Sequence, residues 1–522
     1  MNRILAAVLL SAVIAVPAAR AWEPETTQAG LAEQAALASG LHKRLESIGF
    51  SGGLYEQLTI PPADAPGLLD ALKQLPPSQG GVPDARGRQP AVAWLVAGAE
   101  LADTPVQAAA NHFYDVQTHG GWVRPDLGVF AHLEARAREA LGRAQLPEHG
   151  VPAPDWVVAK DNPFSLNQFL DKYSKAVTAP TAGERSRQMA AALIAAGAML
   201  HVLGDLGAPA RVRGDYAAML QPLGGGPDDL GSRFERIAAL AYGRLGVPAP
   251  SRVITRTHLR DYFTAAGVRD KKGVLQGQGL ADEIATTFFS EHTLPAASST
   301  FGTEPPRLAR PLPKLPALLN LIAAVREDGA TIRTPGGVCL ARYTAEHDVV
   351  TWSLDDDCML QQIGAILPEV SAYETGLLDF LFRGELTVTV TGGAISVTGK
   401  GLAAGEIEVL VEDDRGIRTS LGTTAASGGA AELAHVAAPA TGARVVAMFR
   451  GVDTANEPIV AVGGASLASS APATPPAGPQ GLPQVQEQPG QQPAPPVQAP
   501  LGTGTQTPPP VLPPPAKPPA GP

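Results

Sequence analysis

Around Glu385 the spacing of apolar residues changes, and this change divides the chain into parts that cannot share one architecture. From Trp22 to about Gly384, Ala-rich and Leu-rich runs recur at roughly helical spacing, broken by clusters such as Pro61-Pro62 and Gly224-Gly225-Gly226-Pro227. The spacing predicts helices near Gln28 to Ile48, Pro90 to Ala102, Gly128 to Ala144, Ser186 to Leu206, Ser232 to Leu245, Ala317 to Asp328 and Met359 to Phe382. Between the last two, Thr331-Ile332-Arg333 and Val349-Val350-Thr351-Trp352 read as a short hairpin at about 330–358. After Glu385 apolar and polar residues alternate, as in Leu386-Thr387-Val388-Thr389-Val390 and Ile407-Glu408-Val409-Leu410-Val411. Short alternating runs with Gly-rich turns predict a β-sandwich over 385–465. From Ser466 to Pro522 only Glu487 and Lys517 carry charge and no aromatic residue occurs, so this tail is expected to be a disordered, partly polyproline spacer.

The beginning of the chain predicts export. Arg3 precedes an apolar run from Ile4 to Val16 that is too short to span a bilayer, and Ala19-Arg20-Ala21 fits a signal-peptidase site. Cleavage there removes residues 1–21 and leaves Trp22 as the mature N-terminus, in the periplasm or outside the cell. Cys339 and Cys358, the two cysteines of the chain, then read as a disulfide closing the hairpin, with two buried thiols as the alternative. The formal charge of −10 over 522 residues argues against nucleic acid as a non-specific electrostatic partner. Hydrophobic residues at 44% can fill a large core.

Three local patterns carry chemistry. In Leu200-His201-Val202-Leu203-Gly204-Asp205, residues four apart share a helix face, so His201 and Asp205 can address one point, at a helix end marked by Pro209. A His and an Asp bonded merely to each other or to backbone is the alternative. In Asn111-His112-Phe113-Tyr114-Asp115, a His sits between an amide and aromatic residues, a setting for a ligand or for a structural His. The third is the mature end itself, because the freed amino group of Trp22 is a nitrogen donor for a metal.

In this order the three patterns resemble the zinc-dependent phospholipase C family, which includes bacterial alpha-toxins and is related to fungal single-strand nucleases. The resemblance runs from Trp22 to about Tyr242. It implies a mainly α, phospholipase C/nuclease-like domain over 22–384 holding a zinc cluster, ahead of the β-sandwich and the tail. It also implies that Trp22, His112, His201 and Asp205 are zinc ligands, that Asp103 or Glu100 is the upstream acidic ligand and general base, and that Glu235 belongs to a third site. Three positions depart from the pattern. Gln28, Arg211 and Gly231 stand where the family has histidines, so one or two zinc ions are expected and the third site is expected to be lost.

The implied function is hydrolysis of a phospholipid or other phosphodiester, with Arg211 and Arg213 as candidate phosphate-binding residues standing in for a lost cation. Solvated loop arginines are the alternative. The β-domain is a candidate for peripheral membrane or envelope contact. The competing function is a pseudoenzyme that binds or scaffolds in the envelope. His119 and His132 are read as surface or packing residues, His292, after the aromatic pair Phe288-Phe289, as a residue that could face the cleft, and Asp355-Asp356-Asp357 as a solvated loop rather than a calcium site.

Overall fold

The computed structural model describes residues 24–467 except 75–81, 127–145, 224–229, 246, 266–277, 300–319, 322–329, 348, 427–433 and 440–441. The export signal, Trp22, His132, the Gly128–Ala144 helix, most of the Ala317–Asp328 helix and almost all of the tail lie outside these residues.

The helices that position the site are α1 (Ala29–Ala38), α2 (Leu41–Ser47), α3 (Pro66–Gln74), α4 (Ala91–Leu101), α5 (Leu166–Thr178), α6 (Ala182–Asp205), α7 (Arg233–Leu245), α8 (Leu280–Thr287) and α9 (Asp356–Leu381). The single helix expected from Gln28 to Ile48 is divided. A π-type turn, Pro24–Gln28, leads into α1, and the break before α2 falls at Ser39-Gly40. There the Ser39 hydroxyl donates to Ala36 O at 3.0 Å, the kind of local bond that competes with helix continuation. Helix α5 escaped the sequence reading, although its apolar positions Leu166, Phe169, Leu170, Tyr173 and Val177 are buried on one face.

Helix α6 is the spine of the helical part. Thr181 caps it by accepting from Glu184 N. Its length and composition would suit a bilayer, yet 89% of its apolar window is buried inside the protein, so it is a core helix. Helix α4 crosses it at glycines. A Cβ at Gly98 would lie 2.1 Å from Ile194 O, and one at Gly197 would lie 1.9 Å from Leu95 O. Only glycine permits that backbone approach, and it brings the end of α4 beside the end of α6.

The expected hairpin is a sheet instead. Strand β2 (Cys339–Glu346) lies between β1 (Thr331–Arg333) and β3 (Val349–Ser353), and Ser298–Ser299 pairs on the outer side of β3. Residues 331–333 and 349–352 are therefore not hydrogen-bonded to each other. The bond between Cys339 and Cys358 ties β2 to the first turn of α9. Asp355, expected in a solvated loop, caps α9 by accepting from Cys358 N at 2.9 Å; Asp356 and Asp357 follow in the first turn, where the helix dipole favours acidic residues.

Beyond α9 the described residues form strands joined by turns. One antiparallel sheet has the order β7 (Arg418–Ala426), β6 (Leu402–Glu412), β9 (Arg444–Asp453), β10 (Pro458–Ser466). The other has β8 (Ala434–Ala437), β5 (Ala394–Gly399), β4 (Leu386–Thr391). Ile395 and Val397 from the second sheet share a core with Ile407, Val445, Ala447 and Phe449 from the first, which makes the pair a sandwich. The alternate residues Val446, Met448, Val460 and Val462 join the helical core. Strands β9 and β10 are thus buried on both faces, which accounts for their nearly continuous apolar sequences.

Candidate metal centre

Four side chains converge where α4 ends beside α6. His201 and Asp205 come from the last turns of α6, Asp103 from the turn just beyond α4, and His112 from the end of the helical turn Val106–Asn111. One ligand atom from each lies within 4.8 Å of all the others. His112, His201 and Asp205 are fully buried, and Asp103 is 8% exposed.

The local bonds orient each group toward a common point. His201 Nδ1 is 2.5 Å from Ala99 O, a bond it makes as a donor, so Nε2 keeps its lone pair for the cluster. That Nε2 is 3.3 Å from Asp205 Oδ2 and 3.6 Å from Asp103 Oδ2. His112 Nδ1 is 3.2 Å from Asp103 Oδ1 and 3.0 Å from Asp205 Oδ2. Both Nε2 atoms lack a well-formed hydrogen bond, as do both Asp103 oxygens. Two imidazoles and two carboxylates, buried and incompletely satisfied, are a donor set that suits a divalent ion such as zinc. Glu100, one turn earlier, is buried too, but the carboxylate in the group is that of Asp103.

Without an ion, the charges hold one another. Burial alone would lower the His201 pKa, but the Asp205 and Asp103 carboxylates outweigh it and raise it to about 9. Burial opposes ionisation of Asp205 and Asp103, yet Arg211 and His201 hold Asp205 well below the usual carboxylate range, and His201 and His112 lower the Asp103 pKa below its ordinary value.

Around Asp205, N–H groups stand where the family resemblance puts zinc ligands. Gln28 Nε2 donates to Asp205 Oδ1 at 2.7 Å. Arg211 Nη1 is 3.3 Å from Asp205 Oδ2, and its Nε donates to Glu235 Oε1 at 2.9 Å. The Arg211 guanidinium is 1% exposed and lies over the Phe113 ring at 4.5 Å from its centre. Burial pushes the Glu235 carboxyl up to about 7, with Arg211 opposing. Gly231, paired with Gln221 ahead of α7, has Leu223 Cδ1 at 2.8 Å from where a Cβ would sit, so a larger side chain requires Leu223 to shift.

Arg213 is placed elsewhere. Its Nε donates to Thr293 Oγ1 at 2.7 Å, and Nη1 donates to Ala285 O in α8. His292 Nδ1 is 2.9 Å from Asp215 Oδ1, and His119 Nδ1 is 2.8 Å from the Tyr114 hydroxyl. None of these three belongs to the four-residue group.

One residue was missed from the sequence. Glu374 of α9 is fully buried, neither carboxyl oxygen has a hydrogen-bond partner, and burial followed by the Asp205 charge raises its pKa well above the usual value. A Cβ at Gly204 would meet Glu374 Oε1 at 2.5 Å and Gln28 Oε1 at 2.9 Å, so these oxygens flank one notch beside Asp205. The polar positions Ser371, Glu374 and Thr375, set among the apolar residues Val370, Ala372, Leu377 and Leu378 of the helix, were the available signal.

No family model and no curated protein matches the chain. Among solved structures, alpha toxin from Clostridium absonum is 11% identical with a TM-score of 0.25, covering 86% of this chain and 96% of that one. Alpha-toxin of Clostridium perfringens from avian strain SWCP is 10% identical with a TM-score of 0.23, covering 86% and 99%. Likenesses of this size carry no argument about function, which rests on the geometry of the four residues and their neighbours.

Proposed function

We propose that the chain is an exported phosphodiester hydrolase of the zinc phospholipase C type, working with one zinc ion and a resident arginine in place of further metals. The observation that carries this reading is the convergence of Asp103, His112, His201 and Asp205 within 4.8 Å, at the positions the motif resemblance assigns. Zinc held by these four supplies Lewis acidity toward a phosphoryl oxygen and acidifies water.

The chain's own residues do the rest. Ala99 O fixes the tautomer and direction of His201, and Gln28 holds Asp205 Oδ1 so that Oδ2 faces the cluster. Arg211 places a permanent positive charge between Asp205 and Glu235, suited to stabilising negative charge on a phosphoryl group. With Gln28 donating to Asp205 Oδ1 and the Arg211 guanidinium paired ionically with Oδ2, the carboxylate has little left to bridge a second ion. Export is consistent with the Cys339–Cys358 bond. The amino group of Trp22 remains a candidate ligand, and its part is tested by comparing the zinc content of chains with and without residues 1–21.

The test is hydrolysis of bis(p-nitrophenyl) phosphate by the zinc-loaded chain. Turnover should disappear with a chelator, return with zinc, and be absent in His201→Ala. Turnover indifferent to chelator and to His201→Ala would overturn the reading. The deep burial of the four ligands favours a second reading, a metal-stapled binding or scaffold protein. That reading requires zinc to raise the unfolding temperature with no turnover on any phosphodiester.

A further inference from the structure

Behind the metal centre lie buried oxygen atoms that its chemistry does not use. Glu374 of α9 is fully buried, and neither of its carboxyl oxygens has a hydrogen-bond partner. Gln28, buried too, gives Nε2 to Asp205 Oδ1 at 2.7 Å, which leaves its Oε1 turned toward Gly204 without a donor. Gly204 shows how close the two side chains come. The point its Cβ would occupy lies 2.5 Å from Glu374 Oε1 and 2.9 Å from Gln28 Oε1. Ser371, one turn before Glu374 on the same face of α9, is fully buried with its hydroxyl unpartnered as well. Buried acceptors without donors are costly, so the notch calls for a partner that these side chains do not supply.

Charge decides the kind of partner. Asp205 already has Arg211 Nη1 at 3.3 Å from Oδ2 and Gln28 Nε2 on Oδ1. Glu374 has no such counter-charge, and Gln28 brings an oxygen but no charge. One positive charge therefore balances the notch, and a divalent ion would overcompensate it. The atoms that face it are oxygens, the donors that hard cations take, with no imidazole or thiolate among them.

From this arrangement we infer that Glu374 and Gln28 Oε1 form a binding site for one compact monovalent cation. It lies on the Oδ1 side of Asp205, whereas the histidines of the four-residue centre approach Oδ2. Glu374 belongs to none of the positions that the motif resemblance assigns. The cation fixes Gln28 by its oxygen while the amide nitrogen of Gln28 holds Asp205. Two sources supply such a charge: a free sodium or potassium ion, or the α-ammonium group of a chain cut after Ala21, two residues ahead of the turn Pro24–Gln28. The site needs neither zinc nor turnover, so it does not depend on the hydrolase reading.

The test is urea unfolding of the chelator-treated chain at constant ionic strength in sodium, potassium or N-methylglucammonium chloride, the last too bulky for the notch. One chain begins at Trp22, and a second keeps Ala19-Arg20-Ala21 ahead of it. An ion at ten times its dissociation constant favours the folded state about eleven-fold. With a free ion as the source, the midpoint should rise saturably with sodium or potassium in both chains. With the α-ammonium group as the source, the chain beginning at Trp22 should ignore the salts and unfold at higher urea than the longer one. Glu374→Gln keeps the shape, removes the charge and should erase either effect. Should that variant not fold, an anomalous rubidium peak between Glu374 and Gln28 Oε1 in soaked crystals supports the free ion, and protection of the Trp22 amine from trinitrobenzenesulfonate supports the ammonium group; neither signal overturns the site. It is overturned as well by unfolding that depends on neither salt nor N-terminus, or by a dependence that survives Glu374→Gln. The dependence in a chain that cleaves no phosphodiester keeps the site and overturns the hydrolase reading alone.

Discussion

Arg211 is the residue on which the chemistry of the centre turns. Its guanidinium is buried with two carboxylates, Asp205 and Glu235, as ion-pair partners, so it neutralises charge that a second metal would otherwise neutralise. Replacing it with His puts an imidazole between the same carboxylates. Arg211→His should raise the metal content from one ion per chain to two, read by elemental analysis, and an unchanged content would mean that the arginine does not stand in for a metal. Removing one partner from a buried ion pair typically costs about 3–5 kcal/mol, so Arg211→Met should also lower stability by that order in urea unfolding. The His201 proton gives a second expectation for the metal-free chain. Its folded pKa of about 9 lies above the ordinary value of 6.5, so the stability it contributes is complete below pH 6.5 and is lost as pH rises through about 9. Chelator-treated protein should unfold at lower urea concentration at pH 10 than at pH 6, and His201→Gln should show a weaker fall. His201 and Asp205 were legible in the sequence because a spacing of four on a helix puts two side chains on one face. The choice between Asp103 and Glu100 was not, since it depends on how the chain leaves α4. Glu374 was less legible still, being brought to Asp205 by the packing of α9, a tertiary event with no local spacing to announce it.

At the scale of elements, the centre exists because α4 and α6 approach at Gly98 and Gly197. A methyl group at either position meets a carbonyl oxygen of the facing helix, which must then move. Gly98→Ala should destabilise the chain by about 1–3 kcal/mol, the usual cost of overpacking, and should weaken zinc binding by moving Asp103 relative to His201. A measured zinc affinity unchanged by Gly98→Ala would show that the crossing does not position the site. The sequence indicated α4 and α6 through their apolar runs, but not that two small residues would set the distance between them. The three-strand arrangement around Cys339 was partly hidden for a similar reason. Strand β2 interleaves the half-buried Arg342 and the exposed Thr344 and Glu346 with buried and half-buried apolar residues, a mixed pattern that reads as loop until its two neighbours are in place.

At the scale of the whole molecule, the strands are fastened to the helices rather than tethered beside them. Arg418 of β7, 4% exposed, pairs with Glu412 at 2.6 Å and donates to Val177 O and Ile48 O, while Arg44 of α2 donates to Phe382 O and Gly384 O. With the apolar faces of β9 and β10 in the helical core, the described helices and strands should unfold together. Differential scanning calorimetry should show one transition for both, and Arg418→Met should lower its midpoint; two separated transitions would show that the strands fold on their own. The change in hydrophobic period at Glu385 told where strands begin. It could not tell that β9 and β10 are covered on both faces, because continuous apolar strands read alike whatever covers them.

The proposed hydrolase requires a single ion held by Asp103, His112, His201 and Asp205. Elemental analysis of the chain, purified with zinc and freed of loosely bound metal, measures this directly. One zinc per chain, falling to near zero in Asp103→Ala and His201→Ala, is the expected result. A zinc content of zero in the unaltered chain, or of two or more, would contradict it.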